Sequence, residues 1–379
     1  MRARVPRPSI EYPIRVGPGL LDRAGRLLLE IQTGGEALLV TDRTVGRLYG
    51  ERVARSLERS GFRVRRTTLP DGERAKSFDV YRSLCERWAR GRVGTDALVV
   101  SLGGGVVSDV AGFAAATYAR GLRWVALPTT VVAQADAAIG GKVGINLASG
   151  KNLVGAFHHP EAILADTDAL RTLPPREFRA GLAEVLKIGV IARPALLPGL
   201  ERLTCSGRSA RSAGSRAGSR AARASAIAPL IRAAAEEKVA LVRLDERDRG
   251  VRRALNFGHT VGHALETATG YRRYLHGEAV SVGMVAALRL SVLEAGLHPV
   301  DAAELESLLA RLGLPTRFDR EPGSGFWRAL SRDKKRGRSA LRMVLCPAIG
   351  RTELFELPSL ATLRRVVLSL VRHDGGGNP

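Results

Sequence analysis

DALVVSLGGGVVSDVAGF, residues 96–113, is the stretch whose reading decides the fold. Its first half is a near-continuous apolar run of strand length, the pattern of a strand buried on both faces. Three glycines, Gly103, Gly104 and Gly105, end that run, and a helical pattern follows at once. Glycines at such a turn let the backbone approach a pyrophosphate, and the helix N-terminus behind them favours an anion. The spacing is not G-x-G-x-x-G, so the general dinucleotide signature is not matched. A tight strand-to-helix turn would use glycine in the same way.

The same alternation runs outward from this stretch. EALLVTD (36–42) and FRVRRTTLP (62–70) read as strands, while residues 43–61 and 77–92 read as helices. Strands and helices in alternation predict an α/β fold built on a parallel sheet. Asp42 falls at a strand end, where a carboxylate can accept from a ribose hydroxyl or cap the next helix. From Pro174 onward the patterns are helical, through PREFRAGLAEVLKIGVIA, APLIRAAAEEKVALVRLDE, HTVGHALETATG, GEAVSVGMVAALRLSVLEAG and DAAELESLLARLG. The expectation is therefore two domains, residues 1–174 and a mostly α-helical 175–379. CSGRSARSAGSRAGSRAARAS (205–225) stands apart as Ser/Arg/Gly/Ala low complexity. It is expected to bury no core and to form a mobile insertion between helices.

Bulk properties narrow the class. A chain of 379 residues, 45% of them hydrophobic, is long enough for two packed cores. No apolar run approaches the roughly 20 residues that span a bilayer, so no membrane partner is expected. MRARVPRPSIEYP at the start is basic but lacks the apolar core of a secretory signal. Three widely spaced cysteines, Cys85, Cys205 and Cys346, argue against a disulfide framework and for a cytoplasmic location. The formal charge is +22, which raises nucleic-acid binding as a possibility. Aromatics are only 5%, and no basic stretch interleaves with them as a base-stacking platform would. Removing the five arginines of 205–225 still leaves +17. Steering of a phosphorylated small molecule fits that charge better than nucleic acid.

Several clusters can carry chemistry. NFGHTVGHALE (256–266) places His259 and His263 one helical turn apart, and LHGEAV (275–280) adds His276. Imidazole is the commonest side-chain ligand for zinc-like metals, although HxxxH alone is equally a pair of packed helix histidines. AGLAEVLKIG puts Glu184 and Lys187 on one face of a helix whose other residues are apolar. A half-buried glutamate near two histidines would complete a Glu/His/His metal site with open positions. PDGERAK (70–76) is a turn holding Glu73 and Lys76. LPTTVVAQADAAIGGKVGIN (127–146) and GKNLVGAF (150–157) set Lys142, Lys151 and Asn152 beside glycine turns, where lysines serve as point charges for phosphate. Arg252 and Asn256 lie one turn apart just ahead of His259, and SRDKKRGR (331–338) is a late basic turn.

Taken in order, TDRTV, PDGERAK, GGGVVSDVAGFAAATYARG, LPTTVVAQADAAIGGKVGIN, GKNLVGAF, AGLAEVLK, LNFGHTVGHALE, LHGEAV and DKK resemble the 3-dehydroquinate synthase family of the sugar phosphate cyclase superfamily. The resemblance runs from about residue 12 to the late 340s, broken by the 205–225 segment. It implies an NAD-binding, Rossmann-like domain followed by a helical domain that binds a divalent metal, zinc most often and cobalt as an alternative. The metal ligands it implies are Glu184, His259 and His276. Around NAD it implies Asp42, Asp71, Gly72, Glu73, Lys76, Gly104, Gly105, Val106, Asp109, Thr129, Thr130, Asp136, Lys142, Lys151 and Thr172. Toward the substrate it implies Lys142, Asn152, Lys187, Lys238, Arg252, Asn256, His263 and one of Lys334 or Lys335. Arg120, in TYARG, is similar to an arginine that the family passes across a homodimer interface to the substrate phosphate.

The implied reaction turns 3-deoxy-D-arabino-heptulosonate 7-phosphate into 3-dehydroquinate and phosphate, with NAD reduced and reoxidised in one turnover. Some positions depart from the family. Ala137 and Ala138 stand where serines are common, Val143 where threonine is common, and Ser108 where glycine is common. The rival readings are a 2-epi-5-epi-valiolone synthase type of cyclase and a metal-dependent polyol dehydrogenase. Arg252 and Asn256 favour a carboxylate-bearing substrate, which needs a cationic partner.

Overall fold

The computed structural model describes residues 11–147, 150–209, 216–334, 341–357 and 359–372. They divide into two compact units, Met1–Thr129 with Ala137–Ala169, and Thr130–Asp136 with Leu170–Pro379.

In the first unit, six strands form a parallel sheet: β1 (Ile14–Gly17), β2 (Gly35–Asp42), β3 (Phe62–Leu69), β4 (Leu98–Gly103), β5 (Arg123–Pro128) and β8 (Ala162–Asp166). Their order is β1-β8-β5-β4-β2-β3, and every pairing is parallel. Every residue of β4 is buried. Leu39, Val100, Leu102 and Leu127 form one buried cluster with Leu28, Val53 and Leu57 from the flanking helices and Leu21 from the turn before Ala24. The helix Gly105–Thr117 packs against β4 and β5. Covered faces explain why the central strands read as apolar runs rather than alternating ones.

The chain leaves β2 toward β3 on one side and later returns as β4 on the other. A crevice at the carboxyl ends of strands flanking such a reversal is the usual ligand site of open α/β sheets. Here the ends of β2 and β4 lie level, with Thr41 opposite Leu102. β6 (Lys142–Leu147) and β7 (Gly150–Phe157) add an antiparallel hairpin that the sequence reading did not separate as strands. Gly144 and Gly155 face each other in it, and a Cβ on Gly155 would lie 2.3 Å from the Val143 carbonyl oxygen.

The second unit contains the helices Pro175–Ile191, Arg216–Leu244, His259–Ala268, His276–Glu294, Pro299–Arg311, Ser324–Lys334 and Leu360–Ser369. It also holds an antiparallel hairpin of β9 (Leu341–Ala348) and β10 (Arg351–Leu357), two strands that the sequence reading did not separate in this mostly helical half. His276–Glu294 is long and apolar enough to cross a membrane, but 72% of its most apolar window is buried inside the protein. It is a core helix.

The low-complexity segment differs from expectation. Its described parts are helical: residues up to Ser209 continue a helix from Leu197, and Arg216 opens the long helix that runs to Leu244. Ala224 is buried in the second of these. Alanine and arginine are strong helix formers, so composition that looks unstructured can extend a neighbouring helix.

Candidate active site

Glycines set the geometry of the second unit. A Cβ on Gly277 would stand 1.8 Å from the Ala180 carbonyl oxygen, and one on Gly283 would stand 1.9 Å from that of Gly258. Three helices therefore cross at backbone contact. The crossing brings Glu184, from Pro175–Ile191, beside His259 and His276, which open the other two helices.

One donor atom each from Glu184, His259 and His276 lies within 4.8 Å of the others. His259 Nε2 is 3.9 Å and His276 Nε2 3.4 Å from Glu184 Oε1. The opposite ring nitrogens are engaged: His259 Nδ1 lies 3.1 Å from the Phe257 carbonyl oxygen, and His276 Nδ1 3.3 Å from Glu266 Oε2. Both rings are thus held with Nε2 facing the carboxylate. Glu184 is buried and ion-paired with the equally buried Lys187, yet neither of its oxygens accepts a hydrogen bond of normal geometry among the described residues. Two imidazole nitrogens and a carboxylate oxygen are the donor set of a catalytic zinc site with open positions, so these residues fit a divalent cation.

The electrostatics of His259 and Glu184 agree, while His276 differs: burial opposes charge on it, but its contacts with Glu184 and Glu266 outweigh that and raise it to about 10, so a cation would take the place of a proton on that ring. Burial pushes His259 well below the ordinary imidazole range, with Lys187 adding to the effect, so the ring is neutral and able to donate a lone pair. Burial opposes charge on Glu184, but Lys187 and the two histidines outweigh it and hold the carboxyl well below its usual range. Burial likewise opposes charge on Lys187, which Glu184 and Asp136 more than offset.

His263 lies one turn along the same helix, exposed, with its ring centroid 5.1 Å from that of His259 and 6.0 Å from that of His276. Its donor atom groups with Glu266 and His276 within the same 4.8 Å limit, so the histidine cluster offers two overlapping triads. The Glu184 triad is the better cage. Its members are more buried, and a cation held by the other triad would have to displace the His276–Glu266 contact.

Lys238 is buried and bonded to both the side chain and the carbonyl of Asp136. Burial lowers its pKa against the pull of that carboxylate. Arg252 is 2% exposed and donates from Nη1 to the Glu246 carbonyl oxygen at 2.6 Å. Asp245 shapes that turn by accepting from the backbone N–H groups of Arg249, Gly250 and Arg252. Asn256 is exposed at the end of the same turn. Thr130 accepts from Ala133 N, and Thr172 is exposed. Lys335 lies outside the described residues.

The first unit gathers its candidates at the carboxyl ends of its strands. Asp42 ends β2, Asp71, Gly72, Glu73 and Lys76 follow β3, Gly104, Gly105, Val106 and Asp109 follow β4, and Thr129 follows β5. Gly104 caps a helix of 13 residues, so an anion-binding N-terminus points out of the sheet there. Thr129 Oγ1 is buried with no hydrogen-bond partner among the described residues, as an unmet ligand contact would leave it. This edge fits a phosphate-bearing cofactor.

Asp42 itself caps a helix: Oδ1 accepts from Val45 N at 2.7 Å. Burial, with Asp71 nearby, raises its pKa. Lys76 bonds Asp109 and the Asn152 side chain, and Lys151 lies 3.5 Å from Glu73. Lys142 is exposed on β6. Arg120 is exposed on a turn where it and Ala119 are both left-handed, at φ 68° and 49°. Two successive non-glycine residues in that region cost on the order of 1 kcal/mol each, so the turn is held by its surroundings.

Two residues of the site escaped sequence reasoning. Asn146 donates from Nδ2 to Glu73 at 2.8 Å, accepts from Asn152 N at 2.9 Å, and donates its own N–H to the Lys76 carbonyl oxygen. No local signal marks it. Glu266 was legible, since positions 259, 263 and 266 share one helix face. Of the departures from the family pattern, Ala137 is half-buried, Ala138 and Val143 are buried, and Ser108 is buried with Oγ lacking a partner among the described residues.

Comparison with known proteins follows this geometry. The sequence profile of the 3-dehydroquinate synthase N-terminal region matches residues 66–180, and that of its C-terminal region matches residues 181–336. The chain is 40% identical to the 3-dehydroquinate synthase of Citrifermentans bemidjiense, over 96% of this chain and 98% of that one. It is 44% identical to the 3-dehydroquinate synthase of Halorhodospira halophila, over 89% and 91%. Among solved structures it resembles 2-epi-5-epi-valiolone synthase ValA from Streptomyces hygroscopicus subsp. jinggangensis, determined with NAD+ and Zn2+ bound. That match has a TM-score of 0.84 and 26% identity, over 98% of this chain and 99% of that one.

Proposed function

We propose that this chain, which belongs to the 3-dehydroquinate synthase family, converts 3-deoxy-D-arabino-heptulosonate 7-phosphate to 3-dehydroquinate and phosphate. The reaction class is a carbon–oxygen lyase of the shikimate pathway, serving chorismate and aromatic amino acid synthesis, in the cytoplasm. Identity of 40% to 44% with dehydroquinate synthases, against 26% with the valiolone synthase, favours the carboxylate-bearing substrate. The observation that carries the mechanism is the Glu184, His259 and His276 cage beside the buried Lys187.

When bound, NAD supplies a reversible hydride acceptor for C5 of the substrate, and the divalent cation, zinc first and cobalt as an alternative, supplies a Lewis acid for the adjacent hydroxyls. Glu184, His259 and His276 would hold the cation. The β2, β3, β4 and β5 ends, with Asp42, Asp71 to Lys76, Gly104 to Asp109 and Thr129, would hold NAD, joined by Thr130, Asp136, Lys142, Lys151 and Thr172. Arg252 and Asn256 would bind the substrate carboxylate. Lys142, Asn152, Lys187, Lys238, His263 and Lys335 would position its hydroxyls and phosphate. Arg120, held outward on its left-handed turn, would reach the phosphate bound by a second copy in a homodimer.

Elimination needs no strong protein base, because the leaving phosphate can itself accept the proton made acidic by oxidation at C5. The protein's main contribution is to hold the substrate in order and exclude competing reactions.

The test is an assay of purified, metal-loaded protein with catalytic NAD. Phosphate and dehydroquinate should appear together without net NADH. Net NADH would support the polyol dehydrogenase reading, and the absence of both phosphate and dehydroquinate would overturn the assignment.

A further inference from the structure

We infer that Glu266 is the positioning residue that aims His276 at the cation. The inference rests on the reading of Glu184, His259 and His276 as the metal cage. Glu266 is 2% exposed and sits two turns after His259 on the helix His259–Ala268. Its Oε2 lies 3.3 Å from His276 Nδ1. A carboxylate only accepts, so Nδ1 keeps its hydrogen toward Glu266, and Nε2 is the nitrogen on which a cation can replace a proton. That nitrogen faces Glu184 Oε1 at 3.4 Å, where the donors of the cage converge.

His276 needs such a partner more than His259 does. His259 is nearly enclosed, and its Nδ1 is fixed by the Phe257 carbonyl two residues earlier in the chain. His276 is the first residue of its helix, and its side chain is 33% exposed. Packing alone leaves its ring room to turn. Glu266 closes that freedom and, being charged, also makes the ring a stronger donor than a carbonyl partner would. Of the ring's two nitrogens, Nδ1 is the one turned to Glu266 and Nε2 the one turned to Glu184.

The competing arrangement makes Glu266 a direct ligand with His263 and His276. Metal binding separates the two. Zinc affinity would be measured by chelator competition, and the visible bands of the cobalt-substituted protein recorded, for the parent chain and for Glu266→Gln, Glu266→Ala, His259→Ala, His263→Ala and His276→Ala. The Glu266 carbonyl, which accepts from Tyr271 N, is untouched by these substitutions. Glu266→Ala should weaken zinc binding about 10- to 100-fold and shift the cobalt bands while one ion is still bound. Glu266→Gln, whose amide oxygen still accepts, should fall between it and the parent. His263→Ala should retain parental affinity.

Unchanged affinity and unchanged cobalt bands in both Glu266 variants would overturn the inference. Loss of zinc in Glu266→Ala and His263→Ala as complete as in His276→Ala would overturn it too, by making Glu266 a ligand. Parental zinc affinity in His259→Ala would instead overturn the cage reading, and the inference with it. The isosteric Glu266→Gln keeps the test valid if the alanine variant folds poorly.

Discussion

Gly277 meets the carbonyl of Ala180 so closely that a Cβ there would stand 1.8 Å from its oxygen. The contact involves backbone on both sides, so no side chain can move aside. His276 precedes that glycine, and Glu184 lies one turn beyond Ala180. The substitution Gly277→Ala should therefore part the two helices. We expect a stability loss of about 3 kcal/mol, at the upper end of overpacking costs, together with loss of metal retention. Chemical denaturation and metal analysis of the purified variant check both; parental stability would refute the contact.

Asp136 and Lys238 form a pair whose lysine is buried. Asp136→Asn leaves that ammonium without its counter-charge and should destabilise the protein by on the order of 3 kcal/mol. Asp136→Asn with Lys238→Met should recover most of that stability without recovering activity. A double-mutant cycle reads the coupling, and additive losses would show the pair to be uncoupled.

Asn146 ties the Glu73–Lys76 turn to the β6–β7 hairpin. Asn146→Ala removes two side-chain hydrogen bonds, each contributing about 1 kcal/mol. NAD affinity should fall several-fold, as measured by calorimetric titration, because the turn loses its brace. Unchanged NAD affinity would mean that the other contacts of the turn, Lys76 with Asp109 and Asn152 and Lys151 with Glu73, hold it without Asn146.

Ser108 buries a hydroxyl with no partner among the described residues, in the helix behind the glycine turn. Ser108→Ala should raise stability by about 1 kcal/mol, since an unmet buried polar group costs that much or more. A lower melting temperature in this variant would show that the hydroxyl is bonded after all.

Burial pushes the Cys346 thiol from about 9 up to about 12. The raised value favours the neutral thiol in the folded state. Its contribution to stability is fully present below pH 9 and is lost as pH rises from there toward 12. Native protein near pH 9, where a free thiol is substantially ionised, should resist alkylation at Cys346 and react only on unfolding. Peptide mapping by mass spectrometry reads this directly, and rapid native labelling would contradict the burial.

Strands β2 and β4 were legible because buried parallel strands are near-continuously apolar, and β4 also runs into the glycine turn; β3, at the sheet edge, was legible from its β-branched Val64, Thr67 and Thr68. The hairpins β6–β7 and β9–β10 were not, since their strands form by pairing with a neighbour rather than by a strong local preference. The 205–225 segment misled in the other direction. Its composition is poor in core residues, yet alanine and arginine extend the adjoining helices once those are anchored.

Sequence alone determined the α/β class, the glycine turn and the residue types of the site, because periodicity and turn chemistry act over a few neighbouring positions. It also placed three histidines in one short span. What the residues alone did not determine is which acids meet them, and only the tertiary structure brings Glu184 beside His259 and His276. Glu184 is 75 residues from His259 in the chain, and nothing local tells which imidazole it will meet. Backbone contacts at Gly277 and Gly283 bring the three helices together, and the Phe257 carbonyl and Glu266 then fix which ring nitrogens face inward. Those contacts depend on the crossing of whole helices, which no local pattern encodes.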